Sequence, residues 1–104
     1  MPYYSLNLTF RENMGEMEAH DLVQELGISI CIDLVYAHPG DDTFEAMVFG
    51  TTVMGPKQGS VKIQVSRPIE LLTISSCIGA LSAEDSISTV FWSEEGGTPV
   101  ELPL

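Results

Sequence analysis

Residues 13–37, NMGEMEAHDLVQELGISICIDLVYA, decide how this chain folds, because two hydrophobic periodicities meet inside them. The first half is punctuated as a helix. Asn13 can cap its amide end, Glu16 three residues later completes a capping box, and Gly27 is placed to end it. Ala19, Leu22, Val23 and Leu26 recur at the i, i+3, i+4, i+7 spacing of a buried helical stripe. The second half, ISICIDLVYA at 28–37, is almost continuously apolar and rich in β-branched residues, with Asp33 as its one charge. That composition predicts a central strand covered on both faces.

Outward from this segment, the pattern is mostly of strands. YYSLNLTFR (3–11) alternates, with Tyr4, Leu6, Leu8 and Phe10 on one side. HPGDD has turn chemistry, TFEAMVFGTTVM (43–54) is a long strand, and MGPKQG is a second turn. SVKIQVS follows, with Val61, Ile63 and Val65 inward and Lys62 and Gln64 outward. Residues 69–81, IELLTISSCIGAL, fit a helix behind Pro68, through Leu71, Ile74, Ile78 and Leu81, although a strand would also accept them. SISTVFWS (86–93) reads as a strand, EEGG as a turn, and TPVELPL (98–104) as a short edge limited by its two prolines.

The order β-α-β-β-β-(α)-β-β implies a single α+β domain over residues 1–104: a mostly antiparallel sheet with one or two helices on one face. A ferredoxin-like arrangement with extra strands is one candidate topology. Met47, Phe49, Phe91 and Trp92 put large residues on both strand faces. A second layer or a subunit interface is therefore expected over the second face.

Charge narrows the function classes. The 104 residues carry 15 Asp and Glu against 4 Lys and Arg, a formal charge of −11. Charged residues make up only 18% of the chain, against roughly 25% in an average protein, so the imbalance comes from missing bases rather than excess acids. Such a surface repels phosphate backbones and anionic lipid, which argues against direct nucleic-acid or membrane binding and favours a protein partner with a basic surface. Three of the four cations lie in GPKQGSVKIQVSR (55–67). Lys62 there reads as an edge guard, or as a contact between copies against the acidic helix. No leader pattern is visible and no apolar run reaches the roughly 18 residues of a membrane span, so the cytoplasm is the expected compartment. Cys31 and Cys77, far apart among apolar neighbours, read as buried reduced thiols.

Candidate chemistry is sparse. His38, Asp41 and Asp42, with Asp33 nearby, are the best metal or acid–base cluster, but Pro39-Gly40 between them is ordinary turn chemistry. His20 has no second ligand at metal spacing. Ser75, Ser76 and Cys77 lack a nucleophile elbow. The pairs Asp41-Asp42, Glu84-Asp85 and Glu94-Glu95 fall in turns, where nothing raises a carboxylate's pKa. No catalytic residue, metal or cofactor is assigned.

Glu18, Asp21 and Glu25 form an unpaired acidic stripe opposite the helix core. Together with the turn acids Asp41, Asp42, Glu94 and Glu95, and with Trp92 as an aromatic anchor, they make the expected partner-binding set. The reading is a small, non-enzymatic protein-binding module, of the kind that inhibits a nuclease or serves as an immunity or anti-defence protein. Two alternatives stand beside it. One is a homo-oligomeric module, such as a homodimer, holding a small apolar ligand, supported by five methionines. The other is a small enzyme using the His38 and Asp41 loop.

Overall fold

A computed structural model describes residues 2–104. The elements run β1 (Tyr3–Phe10), α1 (Glu16–Tyr36), β2 (Ala46–Val53), β3 (Gln58–Val65), α2 (Leu71–Ser76), α3 (Gly79–Ser82), β4 (Ile87–Glu94) and β5 (Val100–Glu101). The five strands form one antiparallel sheet in the order β2-β3-β1-β4-β5, with the helices packed against it. Without β5 this is the β-α-β-β-α-β order of the split βαβ, ferredoxin-like topology. One extra edge strand is added, anchored by buried Leu102, whose amide donates to Val90 O at 2.9 Å.

The strand expected at 28–37 is instead the second half of α1, which continues without a break for 21 residues. Its stripe does not end at Leu26. Ala19, Val23, Leu26, Gly27, Ile30, Cys31 and Leu34 are all buried, at helical spacing. Ile28, Ile32, Val35 and Tyr36 face outward. The near-continuous apolar run is thus two helical faces, one on the core and one exposed. Gly27 does not end the helix. A Cβ at this position would lie 2.7 Å from Val61 Cγ2 and 3.2 Å from Val48 Cγ2, so glycine lets α1 approach the sheet closely. The helix start also differs from expectation. Gly15 is the N-cap residue and makes no side-chain cap bond, so Asn13 and Glu16 do not form a capping box.

The core is the alternation read from the sequence, closed from one side. Tyr4, Leu6, Leu8 and Phe10 of β1, Val61, Ile63 and Val65 of β3, and Ile87, Val90 and Trp92 of β4 all lie buried beneath the helices. The 69–81 segment is two short helices rather than one, adding Ile74, Cys77, Ile78 and Leu81 to the core while leaving Leu71 exposed. Tyr4 ties this segment down, its hydroxyl accepting from Ile69 N at 3.1 Å.

No described element covers the second face of the sheet. Ser5, Asn7, Thr9, Gln64 and Thr89 are half-buried there, and Met47, Phe49 and Phe91 are exposed. Lys62 lies on this face too, but β3 is flanked by β2 and β1, so Lys62 guards no edge. The long open edge is β2, whose sequence AMVFGTTV contains no charge.

Candidate functional site

The solvent stripe of α1 is one surface with two chemistries. Glu18, Asp21, Glu25, Ile28 and Ile32 follow one another at steps of three or four residues, opposite the buried stripe. All five are exposed. The acidic half lies toward the helix start, where Glu16 and Glu18 occupy the first turn and complement the positive end of the helix dipole. Glu18, Asp21 and Glu25 take no part in an ion pair; the one ion pair among the described residues is Arg67 with Asp41.

At this end of the sheet the chain enters α1 beside the start of β4, the Arg11 amide donating to Ser86 O at 2.8 Å. That contact brings Glu12 and Asp85 around the same shallow depression as Glu18, with Arg11 as its one cation. Neither Glu12 nor Asp85 was among the expected binding residues. The signal was the β1–β4 pairing, Phe10 opposite Ile87, which a single sequence does not display.

The remaining acidic residues are elsewhere. Tyr4 pairs with Glu94, and the Glu95 amide donates to Tyr3 O at 3.1 Å, so Glu94 and Glu95 flank the opposite end of β1. Asp41 and Asp42 precede Ala46, which pairs with Val65 at that same far end. The expected acidic residues therefore form two surfaces at the opposite ends of β1, with Glu25, midway along α1, between them. Trp92 is not an exposed anchor. It is 4% exposed and stacked on Tyr4 with ring centroids 4.7 Å apart, and its neighbour Phe91 is the outward ring.

The HPGDD loop is held by local contacts. The Asp41 carboxylate accepts from Thr43 Oγ1 at 2.6 Å and Thr43 N at 3.1 Å and pairs with Arg67. The Thr43 hydroxyl, and then Arg67, lower its pKa to about 2. His38 stacks on Phe44 at 3.8 Å, and its Nδ1–H donates to Leu34 O at 2.7 Å, closing the end of α1. Arg67 covers the same ring at 5.4 Å from its centroid. No three His, Cys, Asp or Glu side chains among the described residues gather as metal ligands. Both cysteines are free and buried. Burial pushes the Cys31 thiol up to about 11 and raises that of Cys77, so neither is a ready thiolate.

A second feature lies beyond the acidic half of α1. Ile28, Ile32, Val35 and Tyr36 overhang the open edge of the sheet and, with Met47 and Val48 of β2 and Cys31 below, line an apolar groove of about 420 Å³. The strand expected at 28–37 hid it, since a strand pairs these residues instead of projecting them along a helix flank. No described helix is long and apolar enough to cross a membrane. Searches of protein families, of curated proteins and of solved structures found no match to this chain.

Proposed function

We propose that this protein is a small, non-enzymatic binding module that recognises a basic protein surface through the acidic half of α1. The observation that carries the reading is the exposed row Glu18, Asp21 and Glu25 on a packed helix, engaged in no ion pair and joined at the helix start by Glu12 and Asp85, with Arg11 the one cation there. The packed helix fixes the backbone beneath these carboxylates, so binding has to order their side chains and not the chain that carries them. Their uncompensated field also steers a basic partner toward them. Proteins with basic clefts, nucleases among them, are the partner class this chemistry fits, and occupying such a cleft would inhibit the enzyme.

Purified basic-cleft ribonucleases and deoxyribonucleases, presented one at a time, supply the test. Binding by calorimetry is expected to weaken at least tenfold between about 50 and 200 mM salt, and to disappear in the triple variant Glu18→Lys, Asp21→Lys, Glu25→Lys. A complex indifferent to both salt and charge reversal would sink the proposal.

The apolar groove favours a second reading, a module for a small apolar ligand, because its volume of about 420 Å³ lies within the ~300–1,000 Å³ of ligand sites. It departs from the closed cavity such a module calls for, since its rim residues Ile28, Ile32 and Tyr36 are exposed.

A further inference from the structure

We infer that the open edge of β2 and the overhanging flank of α1 form a two-fold interface with a second copy of this chain. The inference stands independently of the acidic-partner reading. An eight-residue strand at a sheet edge is a template for pairing, and natural edges are usually blunted by lysine, proline, inward charge or a β-bulge. Ala46–Val53 has no lysine, proline or charge; its one such device is the register shift between Val48 and Gly50, which leaves the Gly50–Val53 stretch in regular pairing with β3. The Met54 amide donates to Gln58 O at 2.8 Å, so the antiparallel alternation sends the Thr51 and Val53 amides to the open side.

The groove above this edge says which partner covers it. Ile28, Ile32, Val35 and Tyr36 are between 43% and 78% exposed. At a full area on the order of 200 Å² per large side chain, they leave roughly 400 Å² of apolar surface per copy. The strand backbone adds to this, approaching the ~800 Å² per partner of a standard interface. A lone strand from another protein would satisfy the backbone and leave the helix flank wet. A two-fold axis through β2 satisfies both, because antiparallel β2 pairing sets the two α1 helices side by side, about 10 Å apart. Charge also selects the spot. Two chains at −11 repel, and the lining of this groove contains no Asp, Glu, Lys, Arg or His.

Sedimentation equilibrium between about 1 and 500 µM, which reaches even weak self-association, should show the 11.3 kDa mass doubling. Raising salt should strengthen the dimer, the opposite of the basic-partner complex, so the two proposals fail separately. Ile32→Glu and, independently, Met47→Glu should weaken dimerisation at least tenfold with the circular dichroism of the fold retained. Hydrogen exchange at Thr51 and Val53 should slow as protein concentration rises. A chain that stays monomeric across the range overturns the inference. So does a dimer indifferent to both substitutions, or one in which those two amides exchange at a constant rate.

Discussion

Gly27 lies in mid-helix, where glycine costs about 1 kcal/mol against alanine, and it is retained because the sheet leaves no room for a side chain. Val61, the nearest neighbour, is β-branched and 1% exposed, so it has no free rotamer into which to retreat. We expect Gly27→Ala to lose more through overpacking than it gains in helix propensity. The predicted outcome is a net destabilisation of about 1 kcal/mol, measured as a lowered urea midpoint at unchanged slope. A stabilised variant would show that α1 rides higher on the sheet than its contacts indicate. Gly59 makes the complementary concession on β3, where a Cβ would meet Val23 Cγ2 at 2.8 Å. At both positions a residue usually read as a breaker or a turn former is instead a fitting surface. That meaning is visible only once the facing element is known.

The same lesson holds for elements. A strand at 28–37 would place Ile30 and Ile32 on one face, whereas the helix buries Ile30 completely and leaves Ile32 51% exposed. Ile30→Ala is therefore expected to cost about 2–5 kcal/mol, and Ile32→Ala no more than about 0.5 kcal/mol in the monomer. Comparable losses from both would restore the strand. The strands of the sheet were legible because a period of two over Tyr4–Phe10 and Val61–Val65, and over Val90 and Trp92 past the irregularity that separates them from Ile87, matches a sheet buried on one face. The end of α1 was not, because its outward face past Glu25 is as apolar as its inward one and the helical period vanishes when both faces are apolar. The acidic stripe was legible from spacing alone. The contributions of Glu12 and Asp85 depend on β1 lying beside β4, and the split of the acids between two ends depends on strand direction. Trp92 was misassigned because adjacent residues on a strand face opposite ways, and nothing local says which ring, Phe91 or Trp92, turns inward.

At the scale of the molecule, an excess of eleven negative charges acts on the fold as well as on partners. Their mutual repulsion opposes compaction, and salt relieves it as the Debye length falls from ~30 Å at 0.01 M to ~8 Å at 0.15 M. The melting temperature of Ile32→Glu, chosen to hold the chain monomeric, should therefore rise by a few degrees over that range; a flat or falling profile would mean that the acids are already compensated. The sheet order has a consequence of another kind. The strand made first, β1, sits between β3 and β4, so both its edges wait for segments translated later. A nascent chain that has not yet reached Ile87 can close the β2–β3 hairpin and dock β1 on one side only, with Leu6 and Leu8 short of their β4 neighbours Trp92 and Val90. Such non-local closure is slow and leaves sticky intermediates. Synthesis of this protein thus passes through a stage in which the middle of its sheet is an open edge, and β4 serves as the cover that ends that exposure.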